Sequence, residues 1–124
     1  MTKLIFAGGI FNLLFAVFHL FFWKLFNWKD ELKSISFINR NIMQVLNLCL
    51  AFVFIIFSYI SIFHTDEMLN TDLGLSLTLC ISVFWFLRSL EQILFFKLKT
   101  AISLILLILF VAGTLLYGLP FFLK

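Results

Sequence analysis

The sequence predicts an all-α integral membrane protein, a four-helix bundle that forms a single transmembrane domain over residues 1–124. Hydrophobic residues make up 64% of the chain and charged residues 12%, whereas soluble domains are typically about 45–50% apolar and about 25% charged. The apolar residues fall in blocks that are each near the ~20 residues a helix needs to cross the hydrocarbon core. The short connections leave no room for a separate soluble domain.

The four helices are predicted from these blocks. They run from Leu4 to Trp23, from Ile42 to Phe63, from Leu73 to about Phe96 and from Ala101 to about Leu123. A spanning helix satisfies its own backbone N–H and C=O groups, which lipid cannot do. No small-residue cleavage pattern follows the first block, so we expect a retained helix there and not a signal peptide.

The longest connection, residues 24–41, has a pattern of its own. Leu25, Trp28, Leu32 and Ile35 recur at helical spacing with charged residues between them. This pattern predicts a short helix that lies in the membrane interface. A simple cytoplasmic loop anchored by its Trp fits the same residues equally well.

The basic residues are distributed unequally between the two ends of the predicted bundle. Cytoplasmic loops are enriched in Lys and Arg, so both termini are predicted to lie on the outer side. The end that holds the first and third connections carries Lys24, Lys29, Lys33, Arg40, Lys97 and Lys99, and the other end carries Lys3 and Lys124.

The strongly polar residues inside the predicted helices fall mainly in the cytoplasmic half of the membrane. At about 1.5 Å per residue, Arg88 and Gln92 lie roughly 12 and 6 Å from the cytoplasmic end of the third helix. Polar residues inside a membrane usually face the bundle interior or a wet cavity. We therefore expect a polar cavity between the first three helices, with the fourth helix serving for packing. Its predicted ligand-binding residues are Asn12, His19, Trp23, Arg40, Gln44, Asn47, Trp85, Arg88, Glu91 and Gln92.

A purely structural interpretation of the same residues stays open. Arg88 and Glu91 are three residues apart, so they can pair on the helix surface, and Arg88 can also snorkel to the headgroups. Gln44, Asn47 and Asn12 can serve as interhelical hydrogen-bond partners, each pair contributing about 0.6 kcal/mol or slightly more.

Several kinds of chemistry receive no support from the sequence. His19 and His64 lie at different depths, so a haem held by both is not predicted. There is no zinc-ligand spacing, phosphate-binding glycine loop or Ser–His–acid arrangement. The sequence therefore identifies no cofactor, no metal site and no catalytic residue. Membrane lipids are the expected partners, with a second membrane protein or a second copy of the chain left open and no nucleic acid expected.

Three segments carry a resemblance to known proteins. They are N-L-L-F-A-x-F-H-L-x-F-W in the first helix, N-R-N-I-x-Q-x-L-N entering the second and F-W-F-L-R-S-L-E-Q in the third. They resemble small uncharacterised four-helix bacterial inner-membrane proteins, and the layout is similar to that of DoxX-like membrane proteins. The resemblance implies this fold and a place in a bacterial inner membrane, and it implies no function or functional residues.

The expected function is binding of an amphipathic ligand (a lipid headgroup, a quinone or a similar molecule) in the cytoplasmic-half cavity. Two other classes stay open. The chain is alternatively a small accessory subunit of a larger membrane complex, or a lipid-modifying enzyme or transporter in which His19 and Glu91 move a proton and Arg88 holds an anion. Copurified small molecules would favour ligand binding, and copurified membrane subunits would favour the accessory subunit. Turnover that is lost when His19 or Glu91 is changed would favour the enzyme or transporter.

Overall fold

The computed structural model describes residues 1–124, which form helices and their connections with no β-strand. Four helices are long and apolar enough to cross a membrane. The chain is thus an all-α, multi-pass membrane protein built as a four-helix bundle, which confirms the predicted fold class. The helices are α1 (Thr2–Leu20), α2 (Phe37–Phe63), α3 (Asp72–Glu91) and α4 (Ala101–Leu123).

The second helix begins at Phe37, earlier than the predicted Ile42. Ser36 is its N-cap, and the Ser36 hydroxyl accepts a hydrogen bond from the backbone N–H of Asn39 at 3.2 Å. Such a cap satisfies an amide that has no partner in the first turn, so the helix includes the polar residues around Arg40. At 27 residues, α2 exceeds the ~20 that span the hydrocarbon core. Its first turns therefore extend beyond the core at the predicted cytoplasmic end.

The first helix ends at Leu20, earlier than the predicted Trp23. The chain then forms three short helical pieces, at Phe22–Leu25, Trp28–Glu31 and Leu32–Ser34. Asn27 separates the first two pieces and has φ 51°, in the left-handed region. Asn adopts this conformation more readily than most residues because its short polar side chain bonds locally. The connection is therefore helical in pieces and not one continuous amphipathic helix.

A short helix, Thr65–Asn70, closes the predicted outer end between α2 and α3, where the sequence indicated only a connection. It buries the side chains of Met68 and Leu69. The helix can approach α3 this closely because Gly74 has no side chain: a Cβ there would lie 2.0 Å from the carbonyl oxygen of Glu67. A glycine is required at this contact for close approach of two backbones.

The four long helices are joined by an aromatic layer with one ring from each. α1 packs along α2, α3 packs along α4, and α1 also contacts α4. Phe54 of α2 stacks on Trp85 of α3, with ring centroids 5.2 Å apart and an interplanar angle of 12°. Phe110 of α4 and Phe15 of α1 lie 5.7 and 5.0 Å from Trp85. This aromatic layer (Phe15, Phe54, Trp85 and Phe110) joins α2 to α3. The backbones of these two helices lie further apart than those of the helix pairs that pack along each other.

Candidate functional site

His19 of α1 and Asn47 of α2 are joined by two hydrogen bonds. Asn47 Nδ2 donates to the backbone carbonyl of His19 at 2.8 Å, and Asn47 Oδ1 lies 2.7 Å from His19 Nδ1. Because an amide oxygen only accepts, the neutral ring carries its proton on Nδ1. The lone pair of the neutral ring is then on Nε2, which has no hydrogen-bond partner within the chain.

Arg88 of α3 is half-buried and has no ionic partner. Its guanidinium carbon lies 4.5 Å from the ring centroid of Phe110 and 5.7 Å from that of Phe96. Neither of the chain's ion pairs involves Arg88. Glu91 is exposed, so the ion pair between Arg88 and Glu91 that the spacing allowed is not formed. The aromatic faces attract the cation but do not neutralise it.

His19 and Arg88 occupy equivalent places on the two helices that lie diagonally across the bundle. Each follows a residue of the aromatic layer, Phe15 or Trp85, by about one helical turn. The His19 ring also lies 5.2 Å from the ring of Phe54 in the aromatic layer. His19 and Asn47, which are bonded to each other, and Arg88 thus lie at a similar depth on the predicted cytoplasmic side of the aromatic layer, and we refer to them as the cytoplasmic cluster.

Four other predicted site residues near this end are exposed or partly buried. Gln44 donates from Nε2 to the carbonyl of Arg40 on its own helix at 3.3 Å, and the Arg40 guanidinium lies 5.8 Å from the ring of Phe37. Trp23 is 47% exposed, and Glu91 is also exposed. None of these side chains forms a hydrogen bond or ion pair with the cytoplasmic cluster.

Asn12 belongs to a separate network that extends toward the predicted outer end. It is fully buried and donates to the hydroxyl of Tyr117 at 2.8 Å and to the carbonyl of Gly8 at 2.9 Å. The Tyr117 hydroxyl lies 2.7 Å from Ser61 Oγ. A Cβ on Gly8 would lie 2.6 Å from the Tyr117 ring, so this glycine makes room for the ring. The network joins α1, α2 and α4.

Gln92 faces α4. Beyond Glu91 the third helix continues as a π-helical turn, Gln92–Phe96, a form found mostly as single turns and often at functional sites. Gln92 Nε2 donates to Ser103 Oγ at 3.0 Å. The Ser103 hydroxyl donates to the carbonyl of Lys97, a residue with φ 59°. These bonds hold together the turn between α3 and α4.

The structure therefore joins two of the predicted site residues, His19 and Asn47, places Arg88 at a similar depth and distributes the others over different contacts. Three buried polar atoms lack a partner within the chain, namely Asn12 Oδ1, Trp85 Nε1 and Gln92 Oε1. Asn12 belongs to the network with Tyr117, Trp85 to the aromatic layer and Gln92 to the turn between α3 and α4. Two concave surfaces of the chain are lined almost entirely by apolar side chains, so they differ from the polar cavity that was expected.

The polar partners that sequence reasoning left out lie mainly on the fourth helix. Ser103 and Tyr117 hold Gln92 and Asn12, although α4 was expected to serve only for packing. A signal was present, since a buried Tyr hydroxyl usually finds a hydrogen-bond partner. Spacing along one helix does not reveal which residue of another helix that partner is.

Metal binding receives no support from the structure, and no known protein guides the assignment. No group of three or more His, Cys, Asp or Glu side chains comes together. Comparisons with protein-family models, with curated proteins and with solved structures give no match.

Proposed function

We propose that this chain is a bacterial inner-membrane protein that binds an amphipathic ligand, such as a lipid or a quinone, at the cytoplasmic cluster. The observation that supports the proposal most is the unpaired Arg88. A charged side chain at the centre of a spanning helix costs about 2.5–3.5 kcal/mol on insertion scales. Buried charges are normally paired for this reason. A polar group of a ligand would supply the partner that the chain itself does not provide.

The side chains of the cluster have complementary binding capacities. Arg88 presents a planar fork that donates hydrogen bonds to a carboxylate, phosphate or carbonyl. His19 offers Nε2, which accepts from a hydroxyl or amine, or donates when the ring is protonated. The rings of Phe22 and Phe110 pack beside them, 4.1 Å from the His19 ring and 4.5 Å from the Arg88 guanidinium. Polar groups beside apolar surfaces suit a ligand that has both characters.

The first test measures the small molecules that copurify with the protein. We expect mass spectrometry of the gently solubilised protein to detect a bound amphipathic molecule. Arg88→Gln should reduce its amount about tenfold, the loss expected when about 1.4 kcal/mol of binding energy is removed. Arg88→Lys should give an intermediate loss, because the charge stays while the planar fork disappears.

Lys33→Gln is the matched control for this test. It also removes one positive charge from the predicted cytoplasmic side, but Lys33 is exposed and pairs with Asp30. This variant should retain the ligand at the wild-type level. Equal ligand content in Arg88→Gln and Lys33→Gln, with both variants folded, would refute the proposal. So would a wild-type protein from which no amphipathic molecule is recovered.

The proposed orientation has a separate test. Cys49 and Cys80 are free and exposed on the surface of the bundle, so both are first changed to Ala. In intact cells, a membrane-impermeant thiol reagent should then modify a cysteine introduced by Asp66→Cys and leave one introduced by Ser34→Cys unmodified. Both positions are exposed, so access to the reagent depends on the side of the membrane. The reverse labelling pattern would place the cluster in the outer half.

A further inference from the structure

An apolar groove runs between α1 and α4 beside the cytoplasmic cluster. It has a volume of about 240 Å³ and is lined by Phe11, Leu14, Phe15, Phe18, Leu106 and Leu109. Leu106 and Leu109 lie roughly 8 and 12 Å from the start of α4, and Phe11 lies roughly 14 Å from the end of α1. The groove therefore occupies the same half of the membrane as the cluster, at the depth of acyl chains.

One aromatic ring connects this groove to Arg88. Phe15, which lines the groove, lies 5.6 Å from Phe110 between ring centroids, and the Arg88 guanidinium carbon lies 4.5 Å from the Phe110 ring centroid. Arg88 also reaches toward Phe96 at 5.7 Å, which is the last residue of the π-helical turn. The charged group of Arg88 therefore lies between Phe110, which contacts the groove, and Phe96 at the predicted cytoplasmic end of α3.

The charges around this end favour one class of occupant. Arg88 is an unpaired cation, and the two lysines of the turn after α3, Lys97 and Lys99, are exposed nearby in the chain. Paired with a phosphate, Arg donates two parallel charge-assisted hydrogen bonds. A neutral quinone or a zwitterionic lipid would leave part of this positive charge uncompensated.

We infer that the occupant is an anionic phospholipid whose acyl chain lies in the α1–α4 groove and whose headgroup phosphate binds Arg88. This inference rests on the proposed function and narrows it to one class of ligand. The groove supplies apolar contact for the chain and Arg88 supplies the charge for the phosphate. The protein would thereby select lipids by headgroup charge in the cytoplasmic leaflet.

Native mass spectrometry of delipidated protein tests this inference. The protein is titrated with phosphatidylglycerol, with phosphatidylcholine of the same acyl chains and with ubiquinone. Phosphatidylglycerol should bind about tenfold more tightly than the other two molecules, and Arg88→Gln should weaken phosphatidylglycerol binding about tenfold. Inorganic phosphate at the same concentration should not displace the lipid, because it lacks the acyl chain that fills the groove.

Variants of α4 test the groove separately. Leu109→Trp places a large ring in the groove and should weaken phosphatidylglycerol binding about tenfold. Ile108→Trp is the matched control, since Ile108 is the neighbouring residue, is 60% exposed and does not line the groove. Leu106→Trp fills the same groove from another position and replaces Leu109→Trp in this test if that variant fails to fold.

The outcomes separate the inference from the proposed function. If an amphipathic molecule binds in an Arg88-dependent manner without preference for the anionic headgroup, the inference is wrong and the proposed function stands. Equal lipid binding by the groove-filled variants and Ile108→Trp would also overturn the inference. If no lipid and no quinone depends on Arg88, both the inference and the proposed function fail.

Discussion

Replacing Trp85 with alanine is expected to lower the free energy of unfolding by about 3–5 kcal/mol, the range for truncating a large buried aromatic residue. Trp85 is 1% exposed and contacts a ring from each of the other three long helices. Since lipid is as apolar as the protein interior, the loss comes chiefly from packing contacts that an empty space cannot replace. The contact between α2 and α3 should weaken most, because it depends on the stack of Phe54 and Trp85.

The free energy of unfolding can be measured by denaturant titration in bicelles, with the Trp23→Ala variant as the matched control. Trp23 is the same residue type but is 47% exposed and belongs to no interhelical ring contact. Its replacement should change the stability by much less than that of Trp85. Similar losses in the two variants would show that the aromatic layer does not hold the four helices together.

The Gly74→Ala variant is expected to be less stable by about 1–3 kcal/mol, the usual range when an extra methyl group is forced into a packed site. The added Cβ would lie 2.0 Å from the carbonyl oxygen of Glu67 and 2.5 Å from the Cα of Met68. Both are backbone atoms, so no side-chain rotation relieves the contact. The helix Thr65–Asn70 must therefore move away from α3 and expose Met68 and Leu69.

Limited proteolysis from the outer side, together with the same denaturant titration, measures this effect. The Gly74→Ala protein should be cleaved faster within residues 65–70. The Ser76→Ala variant is the control, since Ser76 lies on the same helix and is exposed. Wild-type cleavage and stability in Gly74→Ala would show that the outer helix does not pack on α3 as described.

The helices of the bundle could be predicted well because spanning is a local property of the chain. An apolar stretch of sufficient length forms a helix in lipid wherever its neighbours lie. The fourth helix, for example, begins at the predicted Ala101. The ends with polar residues were less predictable: the cap by Ser36 moves the start of α2 to Phe37, and the left-handed Asn27 divides the first connection.

The candidate site was predictable in part. The shared faces of the helices predicted that His19 and Asn47 face the same space between the helices, and the structure shows the two side chains bonded to each other. Asn12 shares a face with His19 along α1, yet it bonds to Tyr117 of α4. Helical periodicity predicts which residues of one helix share a face. Which residue of another helix contacts that face depends on how the helices are arranged.

The sequence by itself determined that this chain crosses a membrane four times, because the length of each apolar block already matches the thickness of the hydrocarbon core. Its basic residues likewise predict which end lies in the cytoplasm. Only the tertiary structure decided which polar groups find partners. The packing of α1 against both α2 and α4 directs Asn12 to Tyr117, and the packing of α3 on α4 directs Gln92 to Ser103. Arg88 forms no ion pair, and the rotation of α3 places its guanidinium against Phe110 and Phe96.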